Sequence, residues 1–237
     1  MIDLHCHVLP GVDDGPETLE ESIEYARAAA GDGTERIVAT PHVELVDVSE
    51  LPERVRDLTD ALADEGLGLA LECGGELKPY SVPSLSDHEL ELIAHGPPGC
   101  RWLLLEVPFR GLSDDLLDAA EELHRRGFAT LLAHPERASG FEGSLRLLRE
   151  EVERGAAVQM NVGPLVGAES PAREEASRRL LRTGLVAALA TDAHPPGRPY
   201  TLLQGREHAM RAGLSATDAD RLVEGAPRAL LRLGLSL

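Results

Sequence analysis

Two histidines two residues apart, His5 and His7, end an apolar run that begins Met1-Ile-Asp-Leu, and two aspartates, Asp13 and Asp14, follow a turn later. Side chains alternate across a strand, so His5 and His7 are expected on one face, with Asp3 behind them and Cys6 turned away. Imidazoles converging at a strand end with carboxylates around them are a nest for a divalent cation. A lone strand histidine would be an ordinary core residue. Here the pattern recurs: His42 follows Thr40-Pro41, Glu76 follows Gly74-Gly75, Glu106 closes Trp102-Leu-Leu-Leu, His134 opens His-Pro-Glu-Arg137, and Asp192 and His194 close Thr191-Asp-Ala-His. The candidate ligands are therefore His5, His7, Asp14, His42, Glu76, Glu106, His134, Asp192 and His194, with Asp13 an alternative to Asp14 that spacing does not separate. Asp3 is expected to orient an imidazole from behind. Mixed imidazole and carboxylate donors without thiolate suit manganese, with iron, zinc or magnesium as alternatives. Nine donors exceed the needs of one ion and suffice for two or three. Such a cluster can clamp a phosphoryl group and supply hydroxide at neutral pH.

These residues need elements to position them. Short apolar strands are expected at the N-terminus and at 36–40, 67–73, 102–106, 128–133, 156–160 and 186–190, where six of the seven run into His, Asp or Glu. Helices are expected between them: 16–32, with a Thr18/Glu21 capping box and an Ile23-Ala26-Ala30 stripe; 51–65; 85–94; 113–126, capped by Ser113; 144–154; and 170–182. Two or three more, after Pro199, should pack outside the sheet. Continuous apolar strands alternating with helices indicate a buried parallel sheet. Its carboxyl ends are where a site collects, and convergence from so many strands calls for a closed ring rather than an open sheet. The expectation is an α/β fold, a distorted (β/α)7 TIM-like barrel in one domain spanning 1–237.

The formal charge of −18, from 23 basic and 41 acidic side chains, disfavours a nucleic-acid surface. It is compatible with a phosphorylated substrate, since bound cations reverse the local field. Cys6, Cys73 and Cys100 follow no disulfide or metal spacing, and the chain shows no signal peptide or membrane span, so a cytoplasmic location is expected. No cysteine precedes a glycine-rich phosphate loop, which excludes cysteine-phosphatase chemistry. His88, His95, His124 and His208 read as surface histidines.

The same set of residues, His5-x-His7, Asp13-Asp14-Gly15, Thr40-Pro-His42, Gly75-Glu76, Leu105-Glu106, Ala133-His134-Pro-Glu-Arg137 and Thr191-Asp192-x-His194, resembles the polymerase-and-histidinol-phosphatase (PHP) superfamily. Within it, order and length resemble the bacterial protein-tyrosine phosphatases of capsule and exopolysaccharide regulation. The resemblance implies a (β/α)7 barrel, a trinuclear metal site and phosphomonoester hydrolysis, with a phosphotyrosine-bearing tail of a bacterial tyrosine kinase as substrate. It implies His5, His7, Glu76 and Asp192 around one ion, Glu76 bridging to a second with Glu106 and His134, and Asp14, His42 and His194 around the third. It also implies Arg137 and Arg198 as phosphate-binding residues. Where family members carry a longer polar segment after the His42 strand, this chain has Val43-Glu-Leu-Val-Asp-Val48, which would line the substrate entrance. The competing readings are a small-molecule phosphatase, for histidinol phosphate or a nucleotide, and a metal-binding module without catalysis.

Overall fold

The computed structural model describes residues 1–236; Leu237, the last residue of the expected domain, lies outside them. Strands β1 (Ile2–Cys6), β2 (Arg36–Ala39) and β3 (Ala70–Cys73) pair in parallel as one sheet. β4 (Glu76–Leu77), β5 (Trp102–Glu106), β6 (Ala129–Ala133), β7 (Ala157–Asn161) and β8 (Val186–Ala190) pair in parallel as another. Single parallel bridges join the two sheets at their carboxyl ends, Cys6 to Ala193 and His42 to Glu76. The first seam is reinforced by backbone bonds from His7 N to Ala193 O (3.0 Å) and from Asp192 N to His5 O (2.8 Å). The result is a distorted (β/α)7 barrel, as the alternation of elements indicates.

The expected third strand, 67–73, begins only at Ala70, and a short strand that was not expected, β4, follows it; β3 pairs back to β2 and β4 forward to β5. The break between them falls at Gly74-Gly75. A Cβ at Gly74 would meet Val38 Cγ1 at 2.6 Å, and one at Gly75 would meet Val43 Cγ1 at 2.8 Å, so a side chain has no room where the ring changes partner.

Helices α1 (Leu19–Gly31), α2 (Leu51–Asp64), α3 (Asp87–Ile93), α4 (Asp114–Arg125), α5 (Phe141–Glu153), α6 (Val162–Leu165), α7 (Pro171–Thr183), α8 (Leu202–Arg211), α9 (Ala216–Asp220) and α10 (Ala226–Leu233) complete the fold. Thr18 and Glu21 form the anticipated capping box, but the buried face of α1 is Ser22, Tyr25, Ala26 and Ala29, one residue off the Ile23-Ala26-Ala30 stripe. Ser113 stands at the N-cap of α4, yet its hydroxyl makes no capping bond. α5 begins three residues before the expected Ser144, because Gly140 adopts φ 72° and turns the chain into the helix early. No helix among the described residues is long and apolar enough to cross a membrane.

The barrel interior is a small apolar cluster of Ile2, Leu4, Val38, Trp102, Leu104 and Leu131 fitted against Ala129, Ala133, Ala157 and Ala188. α10 closes it from below: Leu230 joins the cluster and its carbonyl accepts a 2.9 Å bond from Trp102 Nε1. Along the same inward columns, the residues nearer the carboxyl ends turn polar. Leu104 gives way to Glu106, Ala157 to Gln159 and Asn161, and Ala188 to Asp192. The apolar plug is the floor on which the polar cluster rests.

Candidate metal centre

β1 departs from simple alternation. Ile2 and Leu4 point into the barrel, Cys6 packs with the outer core, and the pairing register with β2 shifts between Asp3 and Cys6. That bulge lets His5 follow Leu4 inward and leaves Asp3 outside. Asp3 consequently touches no imidazole ring. Its carboxylate accepts from the Thr191 hydroxyl (2.6 Å) and the Thr191 N–H (3.1 Å), tying β1 to the end of β8, and burial pushes its pKa up to about 6. The expectation that Asp3 sits behind the histidines fails because one inserted residue reverses its face. Cys6 lies away from the cluster, as alternation predicts, and burial raises its thiol pKa well above the usual value.

The imidazole orienters are other residues. His7 Nδ1 lies 2.6 Å from Asp13 Oδ2, which also accepts from His42 N (3.0 Å), while Asp13 Oδ1 accepts from Gly15 N (3.0 Å). Asp13 is thus occupied behind His7. Asp14 Oδ1 instead faces His194 Nε2 at 3.1 Å and His42 Nε2 at 3.7 Å, from a half-exposed position at the mouth. His5 Nδ1 lies 3.1 Å from Gln159 Oε1, Gln159 Nε2 donates to Asn161 Oδ1 (2.8 Å), and Asn161 Nδ2 donates to Asp192 Oδ2 (2.7 Å). A carboxylate only accepts, so this relay runs in one direction and makes His5 Nδ1 the protonated nitrogen.

With both Nδ1 atoms donating outward, the Nε2 lone pairs of His5 and His7 point at each other across 3.2 Å. Glu76 Oε2 lies 3.3 Å from each and Asp192 Oδ1 3.4 Å from each. Each of the two imidazole nitrogens is thus flanked by one buried carboxylate oxygen of Glu76 and one of Asp192. His5 Nε2, His7 Nε2 and Asp192 Oδ1 form a triangle with sides of 3.2–3.4 Å, and an ion just off its plane would lie about 2.0 Å from each corner, the bond length of zinc or a similar divalent ion to nitrogen and oxygen. Burial opposes charging His5, but Glu76 and Asp192 raise its pKa; His7 is raised well above the ordinary value, against its burial, by Asp13, Asp192 and Glu76. Burial would likewise raise Glu76 and Asp192, yet the surrounding imidazoles hold both well below the usual carboxylate range. The donor set fits a divalent ion.

The remaining candidates surround this point. His134 Nε2 lies 2.9 Å from Glu76 Oε1, and His42 Nδ1 lies 3.2 Å from Glu76 Oε2. Glu106 completes a group with His42 and Glu76, and burial together with the Glu76 charge pushes its pKa up to about 7. His194 Nδ1 is bonded to Asp192 O at 2.9 Å, which leaves Nε2 directed at Asp14. His7, Asp14, His42 and His194 form one possible ligand group; His5, Glu76 and His134 a second; His5, His7 and Asp192 a third; and His42, Glu76 and Glu106 a fourth. All nine residues singled out in the sequence belong to at least one group. Two of them, His134 and Asp192, are the only non-glycine residues with positive φ among those described, at 41° and 47°. This backbone turns each side chain inward just past its strand, a strain that residues outside a functional site rarely hold.

Arg137 donates from Nη1 to Asp192 Oδ2 (2.8 Å), and Arg198 Nη1 lies 3.5 Å from the same oxygen. Both line a cleft of about 730 Å³ whose floor is the donor cluster and whose sides include Lys78, Tyr80, Phe109 and Arg110. Lys78 pairs with Glu44, in the short segment after His42. His88 and His124 are exposed and His208 half-buried, but His95 is not a surface residue: it is buried against Trp102, 5.0 Å between ring centres, with Nδ1 3.4 Å from Glu72. Gln159, Asn161 and Lys78 escaped the sequence reading. The signal for the first two was present, as polar residues at alternate positions of the otherwise apolar β7.

Comparison with known proteins places the chain in a family. The family model for capsular polysaccharide synthesis, CpsB/CapC, matches residues 1–232. The tyrosine-protein phosphatase YwqE of Bacillus subtilis is 33% identical over 82% of this chain and 77% of its own. The tyrosine-protein phosphatase CpsB of Streptococcus pneumoniae is 26% identical over 82% of this chain and 83% of its own. A crystal structure from work on these two proteins, described as unique metal-dependent tyrosine phosphatases, superposes with a TM-score of 0.83 at 30% identity, covering 98% of this chain and 94% of that one. The chain belongs to the CpsB/CapC family.

Proposed function

We propose that this protein is a metal-dependent phosphomonoester hydrolase whose substrate is phosphotyrosine in protein. The observation that carries the reading is the close set of four buried ligand atoms, His5 Nε2, His7 Nε2, Glu76 Oε2 and Asp192 Oδ1, beneath two arginines. His5, His7, Glu76 and Asp192 would hold one ion; Glu106 and His134 would share Glu76 with a second; Asp14, His42 and His194 would hold a third. The ion is manganese in this reading, and the site takes two or three. Bound there, divalent ions supply Lewis acidity toward phosphoryl oxygens and hydroxide at neutral pH.

The chain's own residues do the rest. Arg137 and Arg198 offer forked donors to the non-bridging oxygens of the phosphate. Asn161 shares Asp192 Oδ2 with them, so the carboxylate is held by three donors and cannot swing toward substrate. Asp13 and the Gln159–Asn161 pair keep the imidazoles in one tautomer and orientation. Tyr80 and Phe109, 69% and 49% exposed, give the cleft aromatic sides above an ionic floor, which suits an aryl ester presented on a polypeptide better than a small polar phosphate. The leaving group is a phenolate of pKa about 10, and it departs without a dedicated general acid. No side chain at the floor is placed as a covalent nucleophile, since Cys6 is turned away.

In this reading one domain spanning the chain acts in the cytoplasm on the phosphotyrosine tail of a bacterial tyrosine kinase that governs capsule or exopolysaccharide synthesis, without binding nucleic acid or entering a membrane. The relatives' names as tyrosine phosphatases support it. The test is phosphate release by manganese-loaded protein from a phosphotyrosine peptide, histidinol phosphate and nucleoside monophosphates side by side. A clear preference for the peptide is expected. Preference for histidinol phosphate or a nucleotide would replace the substrate, and no release from any of them would remove the catalytic reading.

A further inference from the structure

Phe109 stands between two clefts. On one side is the cleft over the donor cluster; on the other is a separate hollow of about 570 Å³, lined among others by Arg137, Arg173, Arg179, Glu136 and Glu175. The shared wall is a stack: the Arg137 guanidinium lies 5.0 Å from the centre of the Phe109 ring, and the Arg173 guanidinium 5.3 Å from it. Glu169 ties the two together, with Oε1 3.5 Å from Arg137 Nε and Oε2 paired with Arg173 Nη1. Cation–π contact and a common carboxylate fix both guanidiniums in place; Arg137 also donates to Asp192, whereas Glu169 accepts from one of the five N–H donors of Arg173. Three arginines and two glutamates line this hollow, with Glu169 between two of the arginines, whereas the chain overall has 23 basic and 41 acidic side chains. An acidic protein that acts on an anionic polypeptide must put its positive charge where that polypeptide lies.

We infer that the second hollow is a subsite for an anionic side chain of the substrate polypeptide, flanking the phosphotyrosine whose ester is cleaved. The inference rests on the phosphatase reading above. From the two ring distances, the guanidiniums of Arg137 and Arg173 can be no more than about 10 Å apart, the span of roughly three residues of extended chain. A substrate with its phosphate beside Arg137 would then cross Phe109 and bring a neighbouring residue, within about three positions, beside Arg173 and Arg179. The chemistry recognised is a carboxylate or a phosphate; aspartate, glutamate and a second phosphotyrosine all supply it.

The test uses phosphotyrosine peptides that carry, two or three residues to either side, alanine, glutamate or a second phosphotyrosine. The readout is the ratio of kcat/KM between anionic and alanine-flanked peptides, measured for the native chain, Arg173→Gln and Arg173→Gln/Arg179→Gln. A general change in activity cancels in that ratio. For the native chain the ratio should be about five to ten at low salt, as for a half-buried charge pair, and it should shrink as salt rises. In the double variant it should fall to about one. Glutamate equal to phosphotyrosine would assign the subsite to acidic residues; a preference for phosphotyrosine would assign it to neighbouring phosphates. A native ratio of one, or a ratio unchanged in the double variant, overturns the inference while leaving the phosphatase reading intact. Failure to hydrolyse every peptide and every small phosphate overturns both.

Discussion

The two adjacent aspartates of Asp13-Asp14 have different jobs in this structure, and a pair of conservative substitutions separates them. Asp13 accepts three hydrogen bonds, from His7 Nδ1 at 2.6 Å, His42 N at 3.0 Å and Gly15 N at 3.0 Å. In Asp13→Asn the amide oxygen can keep His7 and His42, but the new NH₂ must then confront the Gly15 N–H, and the negative charge that makes His7 a stronger ligand is gone. A residue behind a ligating histidine is worth about 10- to 100-fold in metal affinity or activity when lost. That is about 1.4–2.8 kcal/mol. Asp14 is half-exposed and faces His194 and His42, so Asp14→Asn removes a direct donor and leaves the His7 support intact. The assay is a manganese titration of each variant, followed by calorimetry and by phosphate release from a phosphotyrosine peptide. Asp13→Asn should show the 10- to 100-fold weaker binding and recover most of its turnover at saturating manganese. Asp14→Asn should stay impaired at saturation. Wild-type affinity in Asp13→Asn, or full rescue of Asp14→Asn together with none for Asp13→Asn, would refute the division of roles.

Three further expectations follow from the same geometry. Arg198→Ala removes a guanidinium that is about a third exposed and makes no backbone-supporting side-chain bond, so the fold should survive while kcat/KM falls about 10- to 100-fold, the value of a charge-assisted hydrogen bond; an unchanged specificity constant would take Arg198 out of the site. Chelation should lower the melting temperature by roughly 5–10 °C and manganese should restore it, since ligand at 100 times its dissociation constant adds about 2.7 kcal/mol and each kcal/mol moves a chain of this size by about 2–4 °C; an unmoved transition would mean that the acceptors hold no ion. Metal binding should release protons, because the cation-free cluster raises the pKa of His5 and His7 and the bound state requires both imidazoles neutral. Apparent affinity must then fall as pH is lowered through those raised values. Calorimetry in buffers of different ionisation enthalpy reads the protons, and a buffer-independent heat would contradict the assignment.

Much of the site was legible in the sequence because strand ends in a parallel barrel converge, so His, Asp and Glu at the ends of apolar runs had to meet. The barrel itself was legible for the same reason, from buried strands alternating with helices. Four features were not. The bulge in β1 depends on how Leu4 and His5 both fit inward, which strict alternation denies, and so Asp3 was placed on the wrong face. The split at Gly74-Gly75 is a demand of ring closure, visible only once Val38 and Val43 are seen pressed against the glycines. His95 stands just before the Gly96-Pro-Pro-Gly99 turn in sequence, which points to a surface position, but the fold sets it against Trp102. The choice between Asp13 and Asp14 turned on which carboxylate reaches behind His7, a matter of turn geometry rather than composition.

The most direct measurement is phosphate release from a phosphotyrosine peptide by the same protein sample before chelation, after it, and after manganese is returned, with Asp192→Asn carried through in parallel. Asp192 faces the two histidines with one oxygen and three donors with the other, so its amide variant should keep the fold and lose the centre. The account predicts activity that disappears with the metal, returns with manganese, and is absent throughout in Asp192→Asn. Undiminished hydrolysis by the chelated protein, or near-normal turnover in Asp192→Asn, would contradict it.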